Sequence, residues 1–415
     1  MTTVVLSRRE VTAWRNALFL TFALVGFALS SWLARVPAAR DGLDVTNSAL
    51  GIVLFGLSGG SLVGLLLSSH LIVRFGSARA VLLGLGIGVL GLPVAALGVE
   101  LGSPLVCFLG LAVYGAGSGL SDVSMNVAGA ANERAVGRNI MPLFHAMFSG
   151  GTVVGVGVGA LAEAAGVPIL VHLTTMAVVV LVALLIAIRF FQSDTHDVDE
   201  RDQAADAPAV GWRARLGGWR EPRTLLIGLV ALGMAFAEGS ANDWLPLAMK
   251  DGHGLDNAGG ALVLAVFLIA MTIGRVLGVP ALDRFGRVVV LRVSALVAVI
   301  GLTTLIFVPS TPIAIVGAVF WGLGAALGFP VAMSAAADDP RRAASRVSVV
   351  STIGYLAFLV GPPVLGFLGD HIGLLHALTV VLVLVLIAGV ASGAARPLGG
   401  TAAPRRAAEA PETAG

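Results

Sequence analysis

The feature that constrains this chain most is a succession of apolar runs, each about 20 residues long, the length at which a helix crosses the hydrocarbon core of a bilayer. Only 12% of the 415 residues are charged and 57% are hydrophobic, too few charges to cover a water-soluble protein of this size. We therefore predict an all-α membrane protein with twelve transmembrane helices, solvated by the lipid bilayer. The runs lie at 14–38, 46–70, 79–99, 103–131, 139–164, 168–191, 223–249, 257–280, 287–308, 312–337, 345–369 and 374–395.

The basic residues fall almost entirely on one side of these predicted helices, which we call the basic side. Only Arg35, Arg40 and Lys250 fall on the opposite side, out of 26 Lys and Arg residues. The positive-inside rule predicts that the basic side, with both termini, is cytoplasmic. All but one of the basic residues are Arg, and Ala and Gly are abundant, a composition typical of high-GC bacterial genomes. We expect a multi-pass protein of the bacterial cytoplasmic (inner) membrane, with the first run kept as a span and not cleaved as a signal peptide.

Several classes of function are not indicated. A net charge of +2 is too small to suggest nucleic acid, and the single cysteine, Cys107, excludes an intrachain disulfide and a cysteine-based metal site. No phosphate-binding loop, pair of metal ligands or Ser/His/Asp arrangement stands out. We therefore expect no enzyme activity, no metal and no cofactor.

The chain divides into two similar halves. At an offset of 210 residues, Asp41-Gly42 matches Asp251-Gly252, Asn47 matches Asn257, and Arg74-Phe75-Gly76 matches Arg284-Phe285-Gly286. Repeated six-helix halves are typical of transporters that rock about a solute site near the midplane. We predict two pseudo-symmetric six-helix bundles at 1–192 and 223–395, a cytoplasmic linker at 193–222 and a disordered cytoplasmic tail at 396–415.

One loop carries a family resemblance. Asp283-Arg284-Phe285-Gly286-Arg287, preceded by Gly274-Arg275 and Gly278, resembles the G…D-R-x-G-R loop of the major facilitator superfamily. The first-half copy departs from that pattern, because Val73 replaces the acid. The resemblance covers essentially the whole chain. It implies alternating access, with Arg275, Asp283 and Arg284 as gate residues.

The fourth predicted helix is similar to the fucose-permease-like branch of that superfamily. Leu120-Ser121-Asp122-Val123-Ser124-Met125-Asn126 aligns with a segment that reads L-E-T-A-A-N in the fucose/proton symporter. The alignment implies that Asp122 is a proton-coupling carboxylate and matches Asn126 to an Asn. His145 falls where that symporter has Gln, and Leu33 falls where it has a second proton-linked acid. The sugar specificity is therefore not carried over.

Asp122 is also singled out by its position inside an apolar helix. Tyr114 and Ser118 precede it, and Met125 and Asn126 follow it, at spacings of three or four residues, so these side chains are expected to share one face. A carboxylate at membrane depth costs several kcal/mol and normally faces a bundle interior or a wet cavity. The alternative is a polar residue that only packs helices together.

The seventh helix carries two further acids. Glu238 lies near its middle with Asn242 on the same face, whereas Asp243 is nearer the opposite side. We interpret Glu238 as a cavity-facing second proton-coupling acid, against interhelical packing, and Asp243 as a hydrated gate, against a plain surface residue. Arg35 either snorkels to headgroups or closes an outer gate. We predict that Arg35 and Asp243 pair when that gate is shut, and that Asp283 contacts basic residues or a helix N-terminus.

The leading hypothesis is a monomeric secondary transporter that moves a small polar solute, driven by the proton gradient in symport. Drug or metabolite efflux is one alternative, and a transporter-like sensor or scaffold is the alternative from another class. A solute could stack on Trp321 and Tyr355, although membrane-core aromatics also simply fill space. The predicted solute-binding residues are Tyr114, Ser118, Asn126, His145, Asn242, Trp321 and Tyr355.

Overall fold

The apolar runs fold as α-helices. The structure, a computed structural model, describes residues 6–138, 140–192, 218–339 and 342–398. Within them, the spans are α1 Arg8–Leu33, α2 Asn47–Phe75, α3 Ser77–Glu100, α4 Pro104–Val136, α5 Met141–Ala164, α6 Ile169–Phe190, α7 Pro222–His253, α8 257–285, α9 287–307, α10 Thr311–Ala336, α11 Ala343–Ile372 and α12 Leu374–Ala395. A short helix, Val36–Leu43, joins α1 to α2. The predicted all-α fold with twelve spans is confirmed.

Helices α8 and α9 form one continuous helical stretch, Asn257–Phe307, that turns at Gly286. Gly286 has φ 77° and ψ 164°, and Gly76, at the junction of α2 and α3, has φ 83° and ψ 161°. Glycine reaches this region of backbone space at little cost because it lacks a Cβ. The two residues are 210 apart, so the sequence repeat is also a repeat of backbone conformation.

The packing confirms two six-helix halves, α1–α6 and α7–α12. In the first half α1 packs on α5 and α2 on α4, and in the second half α7 packs on α11 and α8 on α10. The predicted tail lies outside the described residues apart from 396–398, as does the linker apart from 218–222.

The halves meet mainly through α2 with α11 and α5 with α8. At the opposite side α2 touches the backbone of α11, since a Cβ on Gly51 would lie 2.6 Å from the carbonyl oxygen of Pro362. The hydrogen bonds and ion pairs that join the halves through Asp41, Asp251 and Asp370 also lie on the opposite side. The molecule is therefore closed at that side.

Replacing Gly51 with alanine should open the opposite side. The added methyl group meets backbone that cannot rotate away, and overpacking of this kind costs about 1 kcal/mol or more, roughly a fivefold shift in population. Spin labels at Leu101→Cys and Pro309→Cys, in loops of different halves, should report a longer distance. Gly150→Ala is the matched control, because a Cβ there meets nothing within 4 Å. Equal distances in both variants would contradict the expectation.

Candidate functional site

A cavity of about 540 Å³ lies between the halves, with walls from α1, α2, α7 and α11. It runs from Leu33, near the closed end, to Ser348, near the basic-side end of α11. Leu and Phe make up half of its lining residues, and most of the exposed surface of the wall is apolar. The polar lining residues are Ser58, Ser61, Asn242, Asp243, Ser348, Ser351, Thr352 and Tyr355.

Asp243 is the one charged residue in this lining, and it is partly buried. It forms no hydrogen bond or ion pair with any described residue. The side-chain oxygen of the adjacent Asn242 is buried and likewise accepts no hydrogen bond from the described residues. Pro246, inside α7, has no N–H to donate to the Asn242 carbonyl four residues earlier. Two oxygen acceptors without protein partners, the Asp243 carboxylate and the Asn242 side-chain oxygen, thus lie on neighbouring residues at this end of the cavity.

Asp122 is exposed although it lies well inside α4. It lies close enough to Tyr355 of the other half for its charge to act on the Tyr355 hydroxyl, which places it beside the space between the halves. Asn126 donates to its backbone oxygen at 2.7 Å and to its Oδ1 at 3.3 Å. Ser118, one turn earlier, is partly buried. The predicted shared face is only partly formed, because Tyr114 and Met125 are each 1% exposed and packed in the core. Asp122 has no cationic partner among the described residues.

Glu238 is ion-paired, a contact that the sequence reasoning missed. Its Oε1 accepts a hydrogen bond at 3.0 Å from Nη2 of Arg275, on α8. The sequence count grouped Arg275 with the basic-side residues, and the structure places it inside α8, in the part of the helix nearer that side. Arg275 lies ten residues before the basic-side end of α8 and reaches Glu238 near the middle of α7. The pair neutralises both charges in this conformation.

His145 is exposed about one helical turn into α5. It packs edge-on against Phe22, with ring centroids 5.4 Å apart, and it is near enough to Arg275 to sense its charge. Tyr355, whose side of α11 lines the cavity, is 42% exposed. The same gap between the halves is thus bordered by Asp122, His145, Arg275 and Tyr355.

Two aromatic residues predicted to bind solute are buried in the helix packing. Tyr114 is 1% exposed, and Trp321 is fully buried with its ring edge-on to Phe267 at 5.4 Å. Neither ring is accessible to a solute in this conformation. Here the alternative interpretation of Trp321, as a residue that fills space, describes the structure.

The predicted pair of Arg35 and Asp243 is absent, although the opposite side is closed. Arg35 Nη1 lies 3.0 Å from Glu163 Oε2, and Nη2 donates to the Val167 carbonyl at 2.7 Å. Burial lowers the pKa of Arg35 and the charge of Glu163 opposes that shift. The prediction failed because Arg35 has an acid nearby in its own half: Glu163, at the end of α5, forms the ion pair that was expected from Asp243.

The opposite side is instead held by four residues, Arg40, Asp41, Lys250 and Asp251, which we call the reciprocal latch. Arg40 donates to both carboxylate oxygens of Asp251, at 2.5 and 2.7 Å, and Lys250 donates to Asp41. The hydrogen bonds to Asp251 raise the pKa of Arg40 against the effect of burial. Arg40-Asp41 and Lys250-Asp251 are 210 residues apart, so each copy of the repeat supplies the cation that binds the acid of the other. That offset was the sequence signal for this latch.

Two further contacts join the halves beside the latch. Asp370, near the end of α11, accepts from the backbone N–H groups of Asn47 and Ser48 at 2.8 and 2.9 Å. These N–H groups are free donors at the start of α2, where the helix dipole favours an anion. Asn257 donates to both Asp41 and Glu163, at 3.3 and 3.1 Å.

At the basic side, the predicted contact of Asp283 is not formed. Asp283 is exposed and pairs with no described residue, and the exposed Arg284 lies over Phe285. Asp338 instead binds Arg287 and Arg223, at 2.5 and 2.9 Å. The reason is that the nearby basic residues pair with Asp338 within the second half, at the side where the two halves are separated.

The described residues hold no group of three or more His, Cys, Asp or Glu placed to bind a metal ion. Cys107 is fully buried in α4.

Two six-helix halves around a cavity that is closed at one side define a membrane transporter. The chain belongs to the major facilitator superfamily. It is 30% identical over 369 residues to an uncharacterized MFS-type transporter of Yersinia pestis, a match that covers 88% of this chain and 92% of the relative. A sequence profile described as Major Facilitator Superfamily matches residues 244–414.

Solved structures share the fold. A variant of the nucleoside transporter NupG superposes with a TM-score of 0.76 at 14% identity, covering 93% of this chain and all of that one. A variant of the E. coli fucose:proton symporter superposes with a TM-score of 0.60 at 15% identity, covering 94% and 99%. At these identities the likeness shows the fold alone, so placement in the fucose-permease-like branch stays a prediction.

Proposed function

We propose that this protein is a proton-coupled secondary transporter that carries a small polar solute across the bacterial cytoplasmic membrane by alternating access. The observation that carries the proposal is the asymmetry of the contacts between the halves. The latch, Asp370 and Gly51 hold the opposite side together, while the cavity extends toward the basic side. A site open to one side, between two halves related by a repeat, is what rocking transport requires.

The basic side is the cytoplasmic side in this proposal, with both termini there. Without Arg275, 22 of the 26 basic residues still support that orientation. The structure then corresponds to an inward-facing conformation. One chain supplies both halves of the cavity, which supports a monomer as the transporting unit.

Asp122 supports proton coupling as the energy source. It is an accessible carboxylate at membrane depth without a cation beside it, so its protonation can respond to the wetting and closing of the gap. Proton coupling is also named for the fucose:proton symporter, which shares the fold. In that scheme Asp122 loads a proton from one side and releases it to the other, and Glu238 with Arg275 forms the second charged element of the cycle.

Proteoliposomes test the proposal. Sugars, nucleosides, amino acids, organic acids and amines that raise the unfolding temperature of the purified protein would be added under an imposed pH gradient. The expected result is that solute accumulates inside the liposomes when protons flow inward down their gradient. An internal pH dye should report a matching movement of protons. Extrusion against the proton flow would favour efflux. Binding without flux of any solute would favour a sensor or scaffold and contradict the proposal.

A further inference from the structure

The acceptors at the closed end of the cavity lack a donor. The Asp243 carboxylate and the buried side-chain oxygen of Asn242 are both hydrogen-bond acceptors. Desolvated acceptors without partners are costly, and a carboxylate most of all. A carboxylate without a cationic partner, next to a second unpaired acceptor, is complementary to a donor that carries positive charge.

No cationic side chain among the described residues pairs with the Asp243 carboxylate. Arg275 is paired with Glu238 at 3.0 Å, Arg35 with Glu163 at 3.0 Å, and Arg40 with Asp251 at 2.5 Å. Asp122, which borders the same gap, adds a second acid without a cationic partner. The gap therefore carries an excess of negative charge over positive charge in this conformation.

The rest of the wall is apolar. Leu29 and Leu33 of α1, Leu57 and Leu62 of α2, and Phe358 of α11 surround the acceptors. Such a wall binds hydrocarbon by burying it, at roughly 25 cal/mol per Å² of apolar surface. Tyr355 adds an aromatic face, the kind of surface on which a cation also binds favourably.

We infer that the transported solute is an organic ammonium ion, with a charged nitrogen that binds Asp243 and Asn242 and an apolar body that packs on the leucine wall. The inference rests on the proposed function and names the solute class of its cavity. A protonated amine donates two or three hydrogen bonds to the acceptors and supplies the missing charge, and a charged hydrogen bond of this kind contributes about 1.5–3 kcal/mol.

Binding to the purified full-length protein tests the inference without any gradient. Calorimetric titration would compare hexylammonium, benzylammonium and 2-phenylethylammonium with the corresponding alcohols, each corrected with protein-free micelles. The ammonium member of at least one pair should bind roughly tenfold more tightly than its alcohol, which corresponds to about 1.4 kcal/mol. Asp243→Asn should reduce that ratio to about twofold or less, Asp243→Glu should restore part of it, and Glu100→Gln, an exposed acid on the opposite side, should leave it unchanged.

The inference is overturned if no ammonium ion binds more tightly than its alcohol, which includes the case in which none binds. It is also overturned if Asp243→Asn keeps the preference. Should Asp243→Asn fail to fold, the comparison of ammonium with alcohol in the unmodified protein still decides. Ammonium binding without gradient-driven flux would defeat only the proposed transport, and flux of a neutral solute without ammonium preference would defeat only this inference.

Discussion

Asp122→Asn should reduce gradient-driven solute accumulation to the level of protein-free liposomes while leaving solute exchange across the membrane largely intact. Asparagine keeps the size of the side chain and its hydrogen bond with Asn126, but it cannot carry a proton at any working pH. Exchange needs only the solute-loaded halves to rock, whereas accumulation needs the proton to travel with the solute. Uptake and counterflow of the same labelled solute, in the same liposomes, give the two readouts.

Glu100→Gln provides the matched control for amount and insertion, because Glu100 is exposed at the opposite side and outside the gap. If Asp122→Asn loses exchange together with accumulation, Asp122 binds the solute or holds the fold. If the variant accumulates solute as the unmodified protein does, Asp122 has no part in coupling.

Reversing both acids of the reciprocal latch, with Asp41→Lys and Asp251→Arg, should drive the opposite side open. Each partly exposed ion pair contributes about 0.2–1 kcal/mol, and two like charges in its place oppose closure by a similar amount. Loss of two pairs and creation of two repulsions therefore add up to roughly 1–4 kcal/mol, a population shift of about fivefold to several hundredfold. Electron-resonance distances between labels at positions 101 and 309, in a Cys107→Ser background, measure it.

A variant with all four latch charges exchanged distinguishes loss of the latch ion pairs from general disruption of the fold. Adding Arg40→Asp and Lys250→Asp to that variant restores two attractive pairs with reversed direction. The closed distance should then return. A quadruple variant that remains open, or a double variant that stays closed, would show that the latch does not hold this conformation.

The sequence was sufficient for the spans, the two halves and the all-helical fold, because apolar length and the 210-residue repeat carry that information directly. The sequence was less informative about the direction in which each side chain points. Helices such as α4 and α10 are apolar nearly all round, so hydrophobic periodicity does not separate a cavity face from a packed face. Tyr114 was placed in the site by its spacing from Asp122 and Trp321 by its aromatic ring, and the structure buries both.

Ion pairs between distant helices were the second limit. Glu238 with Arg275, and Arg35 with Glu163, depend on how helices of one half lean on each other, which no local pattern records. The latch differs, because its members sit in matched dipeptides of the repeat. When two copies of a basic-acidic dipeptide meet on the two-fold axis that relates them, the basic residue of each copy pairs with the acid of the other. That rule would have predicted Arg40 with Asp251 and Lys250 with Asp41.

The composition of the latch also bears on how the transporter responds to the membrane potential. Moving one elementary charge across a potential of 100 mV changes the energy by about 2.3 kcal/mol. Arg40-Asp41 and Lys250-Asp251 each carry one positive and one negative charge, so each dipeptide is neutral as a unit. Separating the two halves at the opposite side therefore displaces no net latch charge through the electric field. Any voltage dependence of transport must therefore come from charges outside the latch.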